Sequence, residues 1–81
     1  MPTIYPEASL ADREVLSRLT EKERDILRLI FAGRCSSEVA TILNISKRTV
    51  DLHLARSYEK LGVSNRIQAF KRAVELGIVS P

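Results

Sequence analysis

The chain has 81 residues and a formal net charge of +3, enough for one domain with one small core and too few for two. A single cysteine, Cys35, excludes an internal disulfide and a multi-cysteine metal site, and a single histidine, His53, excludes a His cluster. No apolar run approaches the roughly 18–20 residues of a membrane span, and the opening MPTIYPEAS lacks the basic start and apolar stretch of a secretory signal.

Charge is unevenly placed. Residues 1–38 hold seven acids and six bases, whereas residues 39–81 hold three acids and seven bases. The excess of positive charge therefore lies in the second half, which favours a polyanionic partner on that side.

Residues 1–8, with Pro2 and Pro6, read as an extended lead-in. Ser9 with Asp12 three residues on resembles a capping box, and Leu10, Val15, Leu16 and Leu19 give a short amphipathic helix over about 10–18. This helix either packs on the domain or ends a linker, so residues 1–18 are read as a lead-in or linker and 19–81 as the domain. Thr20 and Glu23 form a good capping box, Ile26, Leu27, Ile30 and Phe31 share one side, and Gly33 supplies the stop; the helix spans about 21–32.

The next helix covers about 36–43, with Val39, Ala40, Ile42 and Leu43 apolar. Its cap is open between Cys35, which puts Glu38 at N3, and Ser36, which is chemically better. Ala40 is small enough to let a crossing helix approach. The link Asn44–Ile45 is so short that the helices on either side must form a helix-turn-helix, with Ile45 plugging the core.

Ser46 caps the helix that follows, and Val50, Leu54, Ser57, Tyr58 and Leu61 recur on one side of it at steps of three and four. The other side carries Lys47, Arg48, Asp51, Leu52, Ala55 and Arg56, a small, partly apolar and partly basic surface of the kind base edges and phosphates would accept. Gly62 and Val63 end the helix in a Schellman-like stop. Ser64 caps a last helix over about 65–76, with Ile67, Phe70, Ala73 and Val74 in one stripe, closed by Gly77. No strand alternation appears, so the fold class is all-α.

Read together, Leu19-Thr20-x-x-Glu23-Arg24-x-Ile26-Leu27, Gly33, Glu38-Val39-Ala40-x-x-Leu43-x-Ile45-Ser46-x-x-Thr49-Val50-x-x-His53 and Lys60-Leu61-Gly62-Val63-x-Asn65-Arg66 resemble the LuxR/FixJ-type (GerE-type) DNA-binding domain of bacterial transcriptional regulators. The likeness spans about residues 18–79, in order and without gaps. It implies a four-helix domain, here with a short extra N-terminal helix, that binds double-stranded DNA in the cytoplasm, associates with the nucleoid when bound, and regulates transcription by way of RNA polymerase. The family's domain often serves as the output of response regulators or ligand sensors. Neither sensing domain fits before Leu19, so a stand-alone member or a fragment is expected.

By the same resemblance, Asp51, Leu52, Ala55 and Arg56 face the major groove, and the last helix supplies a homodimer contact through Ile67, Phe70, Lys71 and Val74. Lys47, Arg48 and Thr49 lie at a helix N-terminus, where free N–H groups already favour phosphate, and Lys60 is expected to reach the backbone as well. Family members often carry Lys where this chain has Asp51, and a polar or basic residue where it has Ala55. Asp51 either accepts from a cytosine amino group or pairs with Lys47 or Arg48 on its own helix. Leu52 and Ala55 suit thymine methyls, and Arg56 suits guanine or phosphate.

His53 has no second ligand or nucleophile at helical spacing and reads as a packing residue. Asn65 and Arg66 hold the last two helices together or touch phosphate, and Lys71 and Arg72 read as a solvated face. Cys35 reads as a small residue beside a cap. No cofactor is expected and no enzyme chemistry is visible: there is no Gly-rich phosphate loop and no acid/base pair with a cleft. The competing reading is a protein-interaction module that keeps the fold and binds another regulator.

Overall fold

A computed structural model describes residues 9–80. The expected lead-in over residues 1–8 lies outside them, as does Pro81. Five α-helices follow in order, and no strand occurs among the described residues: α1 (Leu10–Arg18), α2 (Glu21–Phe31), α3 (Ser36–Leu43), α4 (Lys47–Leu61) and α5 (Arg66–Glu75).

Each start is written locally. Ser9 accepts the N–H of Asp12 at the head of α1. Thr20 and Glu23 exchange bonds across the first turn of α2, at 3.1 and 2.9 Å. At α3 the cap is Cys35, because the Glu38 carboxylate reaches back to the Cys35 N–H at 3.0 Å and fixes the register that the sequence left open. Those backbone and side-chain bonds from Cys35 hold the Glu38 carboxyl below the usual range. Ser46 accepts the N–H of Thr49 at 3.0 Å. The last helix is capped by Asn65 and not by the expected Ser64: Asn65 Oδ1 accepts the Gln68 N–H at 2.9 Å, while the Ser64 N–H donates to Gln68 Oε1 at 2.9 Å. The ends are equally local. Asn44, at φ 58°, is the one non-glycine in the left-handed region among the described residues, and it lets the Ile45 N–H turn back to the Ala40 carbonyl at 3.0 Å. Gly62, at φ 72°, does the same for α4, with the Val63 N–H on the Tyr58 carbonyl at 3.1 Å.

The core has two lobes. Ile26, Ile30, Val39, Ala40 and Val50 bind α2, α3 and α4 into the helix-turn-helix unit, with Ile45 packed against them. Leu19, Leu27, Leu61, Ala73, Leu76 and Ile78 join α2, α4 and α5 to the C-terminal turn. Phe31 and Leu54 pack against both lobes, so α4 is the shared wall of the whole domain.

α1 is docked rather than trailing. Val15 and Leu16 pack on the second lobe, and Arg72 Nη2 donates to Asp12 Oδ1 at 2.7 Å across 60 positions of sequence. The bond from Arg72 to Asp12, which outweighs a smaller opposing effect of burial, raises the Arg72 pKa; Arg72 therefore joins α5 to α1 and is not part of a solvated face. Arg24 Nη1 reaches the Leu16 carbonyl at 3.3 Å from α2.

The last helix is turned relative to its expected stripe. Ala69 and Ala73 are fully buried, while Ile67 is 82% exposed and Phe70 37%. The alanines allow close approach of the backbones, and the larger apolar groups are left at the edge and outside.

Candidate nucleic-acid interface

α4 buries Val50, Ser57 and Leu61 and half-buries Leu54 and Tyr58, the same set that the periodicity singled out. Ser57 is buried with its hydroxyl satisfied, donating to the His53 carbonyl at 2.8 Å. With that side committed, helical geometry turns Lys47, Arg48, Asp51, Leu52, Ala55 and Arg56 outward, and all six are exposed. Leu52 is 49% exposed, a large apolar group on an otherwise polar surface.

The N-terminal turn of α4 is capped on one side only. Ser46 takes the Thr49 N–H and donates its own hydroxyl to Thr49 Oγ1 at 2.9 Å. Thr49 is therefore half-buried and held in the cap. No acidic residue lies in the first turn of α4, which begins with Lys47 and Arg48 and keeps its positive end facing outward.

Asp51 pairs with Lys47, one of the two destinations open to it from sequence. Lys47 Nζ lies 3.0 Å from Asp51 Oδ2, and Ser36 Oγ donates to Asp51 Oδ1 at 2.9 Å. The hydrogen bonds from Lys47 and then Ser36 hold the Asp51 carboxyl below the usual carboxylate range, so it is ionised at neutral pH. Ser36 begins α3, so this carboxylate also ties the first helix of the pair to the second.

Lys60 is placed differently from the other expected phosphate contacts. Its ammonium lies 2.8 Å from Glu23 Oε1 and 3.0 Å from the Arg18 carbonyl, joining α4 to α2 and to the end of α1. Glu23 is 2% exposed. Burial alone would raise its pKa, but the hydrogen bond from Lys60, the Thr20 N–H and the Lys60 charge together outweigh it and lower it.

The α5 side is a separate surface. Phe70 meets Phe31 edge-on, with centroids 5.4 Å apart, and the Arg66 guanidinium lies 5.7 Å from the Phe31 centroid. Arg66 Nη2 also donates to the Ile30 carbonyl at 3.1 Å, so it serves the end of α2 and holds α5 against it. A shallow cavity between Phe31, Gly33, Arg66, Ile67 and Phe70 opens beside it. Lys71 is exposed and Val74 half-buried. His53 is half-buried, with Nδ1 enclosed and without a hydrogen-bond partner in this arrangement. Cys35 is exposed. No group of three or more His, Cys, Asp or Glu side chains arranged for a metal ion exists among the described residues. None of the described helices is long and apolar enough to cross a membrane.

Comparison with known proteins agrees with this architecture. Residues 17–73 match the family described as "Bacterial regulatory proteins, luxR family". Transcriptional activator protein AnoR of Acinetobacter nosocomialis is 44% identical over 61 residues, 75% of this chain and 26% of that protein. Transcriptional activator protein SolR of Ralstonia nicotianae is 35% identical over 79 residues, 98% of this chain and 30% of that protein. A putative HTH-type transcriptional regulator of Mycobacterium tuberculosis is 41% identical over 59 residues, 73% of this chain and 7% of that protein. The chain thus spans about a third or less of the length of these curated relatives. No solved structure matches it. A family match covering residues 17–73, over a fold of five helices with a helix-turn-helix at its centre, shows that this chain belongs to the luxR family of bacterial regulatory proteins.

Proposed function

We propose that this chain is a DNA-binding domain that regulates bacterial transcription by placing α4 in the major groove of duplex DNA. The observation that carries the reading is the outward face of α4, where Lys47, Arg48 and Arg56 surround Leu52 and Ala55 on a helix whose opposite side is fixed in the core. Cations and the free helix end meet phosphates, and the small apolar centre meets base edges. The transcriptional activators to which the chain is similar support it. Lys47, Arg48 and the capped turn at Thr49 bind the backbone; Asp51, Leu52, Ala55 and Arg56 line the groove. Lys60 joins them only if its ammonium leaves Glu23.

The site of action is the cytoplasm, on chromosomal DNA, and contact with RNA polymerase follows from the regulatory role rather than from any one surface. Pairing of two copies through Ile67, Phe70, Lys71 and Val74 fits the exposure of Ile67 and the open cavity beside Phe70. It also matches the two-fold sites that dimeric helix-turn-helix proteins read.

Binding of labelled duplex DNA measured against salt tests the reading. Arg48 and Arg56, with the charge of Lys47 offset by Asp51, require log K to fall with log salt at a slope of about −2 per domain. A flat salt response would instead favour a protein-interaction module that binds another regulator.

A further inference from the structure

The groove face of α4 carries an acid, and the structure shows that it is held in place. Asp51 Oδ1 accepts from Ser36 Oγ at 2.9 Å, on the neighbouring helix, and Oδ2 accepts from Lys47 Nζ at 3.0 Å, one turn earlier on its own. The carboxylate is therefore oriented from both sides before any ligand arrives. Its side chain is still 50% exposed. Each carboxylate oxygen has a second lone pair, so the group retains acceptor capacity towards the outside.

Two consequences follow. Lys47 offsets the charge of Asp51 locally, which permits an anion to stand among phosphates. Asp51 itself presents acceptors only, and in the major groove it is matched by an amino group and opposed by a keto oxygen. Cytosine N4 and adenine N6 donate there, whereas guanine O6 and N7 and thymine O4 accept. Leu52 and Ala55, exposed beside it, favour thymine methyl groups at neighbouring positions.

We propose that Asp51 is a specificity-determining residue that selects an amino base, cytosine or adenine, at one position of each half-site and rejects guanine and thymine there. Ser36 and Lys47 act as its positioning residues. This rests on the reading of α4 as the groove helix and adds to it the chemical class of base recognised at one point.

The test is selection of bound fragments from random duplex DNA at fixed salt, with the wild-type chain, Asp51→Ala and Asp51→Asn. The wild type is expected to enrich cytosine or adenine at one half-site position about ten-fold over guanine and thymine. Asp51→Ala is expected to lose that preference while keeping the flanking ones. Asp51→Asn, which gains a donor beside its acceptor, is expected to shift the position towards adenine, read at N6 and N7 together. That change of identity is a readout that a merely structural role for Asp51 would not produce. Unchanged preferences in all three proteins, or guanine or thymine selected by the wild type at every position that responds to Asp51, would overturn the assignment while leaving α4 in the groove. Absence of any enriched sequence, together with a flat salt response, would overturn both.

Discussion

Replacing Lys60 by Met removes the ammonium that faces Glu23 and keeps most of the stem. The Glu23 carboxylate is then left in the core with a side chain 3% exposed and the Thr20 N–H as its remaining donor at 2.9 Å. Breaking a buried pair by deleting one partner costs about 3–5 kcal/mol. The lower end applies, because the Lys60 side chain is itself 31% exposed and Thr20 still donates. Against a total stability of about 4–12 kcal/mol for a domain of this size, a loss of about 3 kcal/mol is large. In urea, with a slope near 1 kcal/mol per molar, the unfolding midpoint should fall by about 3 M at neutral pH.

The double change Glu23→Gln with Lys60→Met leaves no unpaired charge and should recover most of the loss. The pH dependence has a definite sign. The folded-state pKa of Glu23 is lowered from its ordinary value of 4.5, so its contribution is fully present above that value and is lost as pH falls through the folded one. In Lys60→Met the hydrogen bond and charge from Lys60 are gone while burial still opposes ionisation, so the Glu23 pKa rises above its wild-type position and the gap between the two proteins should narrow in acid. The reasoning fails if Lys60→Met costs under about 0.5 kcal/mol, or if the double variant is no more stable than the single one.

Other expectations can be checked separately. Arg48→Ala should reduce the salt slope of DNA binding by about one, measured by fluorescence anisotropy, whereas Lys60→Met should leave the slope unchanged wherever it remains folded. Asn44→Val, which forces a β-branched residue to φ 58°, should cost about 1–2 kcal/mol and lower Tm by several degrees; Asn44→Gly should change Tm by no more than a degree or two. Arg72→Ala should speed amide exchange across Leu10–Arg18 with little change in α3, because Arg72 is the charged tie between α5 and α1.

Much of this architecture is legible in the sequence because its signals are local. The caps at Thr20 and Ser46, the left-handed Asn44 and the stop at Gly62 each act within four or five residues, and every helix boundary lies within one residue of its expected place, although the last helix is capped by Asn65 and not by the expected Ser64. The buried side of α4 follows from its period alone. The cap at Cys35 required Glu38 to choose, and the better hydroxyl of Ser36 turned instead to Asp51.

What sequence could not show depends on partners far along the chain. Whether α1 packs or trails is decided by Asp12 meeting Arg72, and the destination of the Lys60 ammonium by Glu23, 37 positions away. The turn of α5 departs from the expected stripe, since large apolar residues usually mark the core side. Here the small Ala69 and Ala73 take the core side and are fully buried, and Ile67 faces outward. On the exposed face of α4 the residue types were legible, but the bond from Ser36 that holds Asp51 was not.

The central claim is that the exposed face of α4 is what meets DNA. Amide and methyl shifts of the isotope-labelled chain, followed as a selected duplex is added at low salt, test it residue by residue. The account predicts the largest changes at Lys47, Arg48, Leu52, Ala55 and Arg56, with α5 moving little unless copies pair. Changes concentrated on Ile67, Phe70 and Lys71, with Leu52 and Ala55 unmoved, would contradict it.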